Sequence, residues 1–234
     1  MCGMPDLHGS DPHALLLRVI AHDLLSPLTA IKWQAELLGG KHVSRKKRRA
    51  YIENIQASNQ LGIMIAKHAH VAGGVLTKTY HAEPHEVLRS DVVQQTCVAL
   101  APQFERHSVA LSAECAPDVA PHYYDPALLS LLVWATAKLF LSDAPAGGAV
   151  AARGIAFSHG VSGYRAVFES ADLQRAEDMV VTLNQQVPQN SLDQSFVFAL
   201  LMHAVAEYLG NTQIEAEMYQ GMLRVSLVFN DPVA

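Results

Sequence analysis

Cysteine, charge and long apolar runs are all scarce in this chain, and each scarcity narrows what it does. The three cysteines in 234 residues, Cys2, Cys97 and Cys115, make no even framework and no CxxC pair. They fit a reducing compartment better than a disulfide-stapled secreted scaffold, and read as structural or incidental. Charged residues are only 17% of the chain and the formal net charge is -5, so no general basic face exists to neutralise nucleic-acid phosphates. No nucleic-acid partner is expected. No stretch approaches ~18 uninterrupted apolar residues, and the segment from Met1 to Asp11 has acidic residues but no signal-peptide apolar core. A soluble, cytoplasmic protein without membrane contact is the expectation. Internal repeats and low-complexity tracts are also missing.

What is present is enough apolar material for a core, 50% of residues, in a length that suits one or two domains. Leu17, Ala21, Leu24, Leu28, Ile31, Ala35 and Leu38 alternate spacings of four and three, the seam of a helix packed in a bundle or coiled coil. Gly39-Gly40 ends that helix. Ser44 is placed to cap a second helix reaching about Ala72, closed by Gly73-Gly74. Two such helices form an antiparallel hairpin whose apolar face is too wide to bury alone. A second copy would complete a four-helix bundle across a two-fold axis; burial against the chain's own C-terminal half is the other solution. The strict heptad favours the homodimer.

Beyond Tyr80, with Pro84 marking a linker, strands and helices alternate. Residues 86–104 read as a helix, 109–114 as a strand, and 126–141 as a helix so apolar that it must be largely buried. After the Pro145-Ala146-Gly147-Gly148 turn come strands at 149–157 and 164–169, a short helix at 173–184 and a polar loop containing Pro188. A long helix at 193–209 and paired strands at 213–217 and 222–229 around Tyr219-Gln220-Gly221 complete the pattern. The fold class is α+β: a helical hairpin at 10–76, then an α/β sandwich at 84–230 with helices on one face of a mixed sheet.

The informative segment is Ala21-His22-Asp23-Leu24-Leu25-Ser26-Pro27-Leu28-Thr29-Ala30-Ile31. If Ala21 and Leu24 lie on the seam, His22 is about 100° off it and projects toward solvent from a rigid helix. That suits a nucleophile that must meet another protein. Asp23 is placed to accept a hydrogen bond from Nδ1–H, leaving Nε2 to attack. Pro27 costs a helix interior ~3 kcal/mol or more and should bend it, a cost that an ordinary structural helix would avoid. His-Asp alone would read as a surface histidine beside an aspartate; the longer string changes that.

The segment resembles the H-box of sensor histidine kinases, with an acidic residue after the phosphoacceptor histidine and, five positions after that histidine, proline followed by Leu-Thr. The likeness continues to Gln34-Ala35-Glu36-Leu37-Leu38. It implies that His22 is phosphorylated and that Asp23 is its acidic partner. The position four after the histidine, often Thr or Asn where the family also dephosphorylates its partner, is Ser26, so phosphatase activity lacks its usual group. The second half is similar to the family's ATP-binding domain in element order but departs from it in its motifs. Thr136 stands where an asparagine would hold magnesium. Ser170-Ala171-Asp172-Leu173 has no glycine where an Asp-x-Gly-x-Gly loop belongs. Phe196-Val197-Phe198-Ala199 replaces a glycine-rich segment whose backbone would approach phosphates. ATP is therefore not expected in its usual pose, and no cofactor or metal is assigned to this chain.

An H-box hairpin joined to such a degenerate ATP-domain, with no separate sensor, resembles the ChpT-type histidine phosphotransferases of bacterial phosphorelays. That resemblance implies partners: a phosphoryl group arrives from the receiver domain of a hybrid histidine kinase and leaves for a response regulator, magnesium being supplied by the receiver. Two rivals stand beside this reading, an active kinase with an unusual nucleotide pocket and a dimeric adaptor that docks receivers without accepting phosphate. The basic run Arg45-Lys46-Lys47-Arg48-Arg49 opens the second helix against its dipole, either as a solvated loop tip or as a contact for an acidic partner. His68 with His70, and His81 with His85, lack metal spacing. Trp33 and Trp134 read as packing residues.

Overall fold

The computed structural model describes residues 12–40, 43–118, 120–157, 163–184 and 194–230. The elements in chain order are α1 (Pro12–Leu38), α2 (Arg45–Leu76), β1 (His85–Val87), α3 (Arg89–Arg106), β2 (Ala110–Cys115), β3 (His122–Tyr124) and α4 (Pro126–Asp143). They continue with β4 (Ala149–Phe157), β5 (Gly163–Ser170), α5 (Ala176–Asn184), α6 (Gln194–Leu209), β6 (Thr212–Tyr219) and β7 (Met222–Asn230). A helical hairpin is thus followed by an α+β unit, the expected fold class.

α1 stops at Leu38, ahead of Gly39-Gly40, and Ser44 caps α2 by accepting a hydrogen bond from the Lys47 amide at 3.3 Å. α2 does not end near Ala72 as its glycines suggest; it runs through Gly73-Gly74 to Leu76. Gly74 serves a close approach instead. A Cβ there would stand 3.0 Å from the Cβ of Tyr80, where the chain folds back on the helix. Thr77 closes the last turn, donating its hydroxyl to the Gly73 carbonyl at 2.7 Å. Pro27 lies inside α1 without ending it.

The linker also differs from expectation. Residues 85–87 form strand β1, antiparallel to β3 with His85 opposite Tyr124, and α3 begins only at Arg89. Three-residue strands carry too little periodicity to be read from sequence. The main sheet has the order β2-β4-β5-β7-β6, parallel between β2 and β4 and antiparallel elsewhere. β6 and β7 meet at Gln220-Gly221, whose φ values of 51° and 79° suit a two-residue hairpin turn that matches strand twist. The loop containing Pro188 lies outside the described residues.

α4 forms where Asp125 accepts hydrogen bonds from the Ala127 and Leu128 amides and Pro126 takes the first turn. Its side chains are almost all buried, from Leu128 to Leu141. At about 1.5–3 kcal/mol for each buried large apolar side chain, this helix is a main source of stability. α1 and α4 both reach a mean hydropathy typical of membrane-crossing helices, 1.5 and 1.3; α4 owes this to its place in the core.

One continuous hydrophobic core runs from Leu16 on α1 to Phe229 on β7. The hairpin contributes Leu16, Val19 and Ile20 from α1 and Leu61, Ile65, Val71, Ala72 and Val75 from α2. Part of the hairpin's apolar surface is therefore buried against the chain's own C-terminal half. The face one residue away from the heptad stripe packs within the chain; of the stripe, Leu24 packs partly against that core, whereas Leu17 is 66% and Leu28 50% exposed. Trp33 corrects its expectation. It is 62% exposed on the uncovered side of α1 and makes no core packing here, whereas Trp134 is fully buried.

Candidate active site

His22 sits midway along α1 with its side chain 79% exposed, and Asp23 beside it is 6% exposed. Successive helical residues diverge by about 100°, so one faces water while the other enters the junction between α1 and the α/β unit. The Asp23 carboxylate is divided between two neighbours. Its Oδ2 is 2.7 Å from Nζ of Lys138 on α4, and its Oδ1 is 3.6 Å from Nδ1 of His22. The hydrogen bond from His22 expected from the sequence is thus replaced by a longer charge contact, because the buried ammonium claims the carboxylate.

Ser26, one turn further along α1, accepts a hydrogen bond from Nη1 of Arg106 at the end of α3. His107 follows as the α3 cap residue. A cavity of about 180 Å³ opens between the two units, walled by Val19, His22, Asp23, His107, Lys138 and Phe198. Partial desolvation there, then the Lys138 ammonium, holds the His107 imidazole below its ordinary range. Burial lowers Lys138 too, and the Asp23 carboxylate opposes that shift. The arrangement offers an accessible imidazole nucleophile backed by an acid, with three nitrogen-bearing side chains from the other half of the chain around it.

His22, Asp23 and Ser26, chosen from sequence, are therefore brought onto one stretch of α1, but Arg106, His107 and Lys138 were not foreseen. A signal existed for Lys138: it is the one cation in a mostly apolar helix. An ammonium is rarely buried without a partner. Arg106 and His107 carried none, since they are ordinary polar residues at a helix end.

The residues that the sequence aligned with nucleotide motifs are engaged within the chain. Thr136 is fully buried and donates its hydroxyl to the Leu132 carbonyl at 2.9 Å, so it faces its own helix. Phe196, Val197, Phe198 and Ala199 are buried, and Phe198 stands edge-on to Trp134 with centroids 5.6 Å apart. Ser170 and Asp172 bond the backbone of Ala149, the hydroxyl donating to its carbonyl at 2.7 Å and the carboxylate accepting from its amide at 3.0 Å.

The remaining candidates lie elsewhere. His68 is buried with Nε2 3.0 Å from the Ser130 hydroxyl, while His70, His81 and His85 are exposed. The basic run forms the exposed first turn of α2, and Arg49 pairs with Glu53 at 2.8 Å. Cys97 is buried, which pushes its thiol up to about 12, an inert state that fits a structural role.

No protein-family model matches the chain, and no curated protein matches it in sequence. Solved structures do. The histidine kinase AdeS of Acinetobacter baumannii superposes with a TM-score of 0.51 at 10% identity, covering 89% of this chain and 97% of that one. A structure described as a bacterial phosphotransferase gives 0.53 at 19% identity, covering 97% of this chain and 98% of that one. Full-length ShkA, solved with AMPPNP, gives 0.54 at 11% identity, with 94% of this chain matching 46% of that one. At these identities the likeness is one of fold, and the fold is histidine-kinase-like.

Proposed function

We propose that this histidine-kinase-like chain is a histidine phosphotransferase of a bacterial two-component phosphorelay, which carries a phosphoryl group on His22 between the aspartates of two receiver domains. The observation that supports this most directly is the pairing of an imidazole 79% exposed with a buried acid beside it. An exposed ring can reach a phosphorus atom held in another protein; a ring packed inside the hairpin could not.

The chemistry follows from the groups. The Nε2 lone pair of His22 attacks the phosphorus of a receiver's aspartyl phosphate in line, forming a P–N bond as the P–O bond to the aspartate breaks. The receiver's carboxylate is the leaving group. A second receiver aspartate reverses the step, forming P–O and breaking P–N. Asp23 offsets the positive charge that the ring gains when Nε2 is bonded. The receiver supplies the magnesium ion that balances the phosphoryl charge.

ATP has no part in this reading, which rests on the buried Thr136 hydroxyl and the Phe196 to Ala199 packing. A homodimer is part of it: Leu17 and Leu28 leave an exposed apolar stripe on the hairpin for a second copy to cover. The setting is the bacterial cytoplasm.

Incubation with a phosphorylated receiver tests the proposal. Label should move to the wild-type chain and to His68→Ala but not to His22→Ala. Docking without label transfer would instead identify an adaptor. Micromolar binding of an ATP analogue with magnesium, measured calorimetrically, would identify a kinase.

A further inference from the structure

Lys138 is chemically out of place. α4 runs Leu131-Leu132-Val133-Trp134-Ala135-Thr136-Ala137 before it and Leu139-Phe140-Leu141 after it, all of these residues buried. Its side chain is itself only 8% exposed. A buried ammonium is costly unless an anion meets it, and the anion here belongs to the other half of the chain: Asp23, 2.7 Å away. The opposite oxygen of that carboxylate faces His22 Nδ1 at 3.6 Å. One carboxylate thus joins a lysine of the α/β unit to the exposed imidazole of the hairpin.

We propose that Lys138 is a positioning residue of the phosphotransfer site, acting through Asp23, so that the α/β unit takes part in phosphoryl transfer. The inference rests on the role proposed for His22. A buried carboxylate is costly unless a cation meets it, and here it lies where it can offset the charge on a phosphorylated ring. The ammonium meets one carboxylate oxygen at 2.7 Å and fixes it, leaving the other toward the ring. Of the other polar groups in this corner, Arg106 donates to Ser26, and His107, Ser142 and Gln194 line the cavity. His107 feels the Asp23 charge, but the close contact to that carboxylate is made by Lys138.

The test is single-turnover phosphoryl transfer from a phosphorylated receiver to the full chain, with each variant checked for a cooperative unfolding transition. Lys138→Met and Lys138→Gln should slow the step at saturating receiver at least tenfold, with little change in the receiver concentration giving half-maximal rate. Lys138→Arg, which keeps the cation, should recover most of the rate. Asp23→Asn should be slow, and Asp23→Asn with Lys138→Met no slower than the worse single variant, because both remove one interaction. Should Lys138→Met fail to fold, the near-isosteric Gln and Arg variants carry the comparison. Folded Lys138→Gln transferring within twofold of wild type, or a double variant whose loss is the product of the two single losses, would overturn the proposal. Failure of the underlying reading looks different: the wild-type chain would then take no label, or His22→Ala would still take it.

Discussion

Arg89 and Asp118 close on each other with both side chains 1% exposed, the guanidinium Nε 2.8 Å and Nη2 3.0 Å from the two carboxylate oxygens. The pair pins the start of α3 to the segment after β2. Arg89 also donates to the Phe229 carbonyl at 3.3 Å and lies over the rings of Tyr124 and Tyr164. Removing one partner strands a buried charge, so Asp118→Ala should destabilise the protein by about 3–5 kcal/mol, measured by urea denaturation.

Acid should weaken the fold in two separate windows. Burial alone lowers His68 from 6.5 to about 4, so the folded state excludes a proton that the unfolded chain binds below about pH 6.5. The contribution is complete above that pH and is lost as pH falls toward about 4, amounting to about 3 kcal/mol at roughly 1.4 kcal/mol per pKa unit. At Asp118 burial acts upward, but the hydrogen bonds and charge of Arg89 outweigh it and the carboxyl ends below its ordinary value. Its contribution is present above the ordinary carboxylate range and disappears only as pH falls further. Urea midpoints from pH 7.5 down to pH 5 should therefore fall in the wild type and much less in His68→Gln.

Two adjacent glycines on α2 should respond in opposite directions. Nothing lies within 4 Å of a Cβ built on Gly73, so Gly73→Ala should stabilise by about 0.5–1 kcal/mol through helix propensity. A Cβ on Gly74 meets Tyr80 Cα at 3.2 Å and Cβ at 3.0 Å. Gly74→Ala must push the linker away and should lower the melting temperature.

The open stripe of α1 predicts association. Leu17→Glu with Leu28→Glu places charges on side chains 66% and 50% exposed in the single chain, where they cost the monomer little. Sedimentation velocity should show a dimer for wild type and a monomer, still cooperatively folded, for the double variant. A wild-type monomer at micromolar concentration would remove the homodimer from the proposal.

Most helices and strands were legible because their signals are local. The cap at Ser44, the apolar run of α4 and the Gln220-Gly221 turn each fix backbone geometry within a few residues. Gly73-Gly74 misled because glycine has two uses, ending a helix and admitting a close neighbour, and only the position of Tyr80 distinguishes them. The heptad stripe was read correctly as a stripe. Which of two adjacent faces the chain buries in itself was not, since a helix with apolar residues on both satisfies either partner.

The sequence by itself determined the longer helices and strands, their order and the exposed His22 with an acid next to it, because periodicity and helical geometry act over a turn or two of chain. Only the tertiary structure decided what that acid does. Asp23 and Lys138 are more than a hundred positions apart in sequence, and the 2.7 Å between their charged groups exists because α1 and α4 share one core. A buried charge takes its partner from whichever element packs against it, and that choice is made by the fold as a whole.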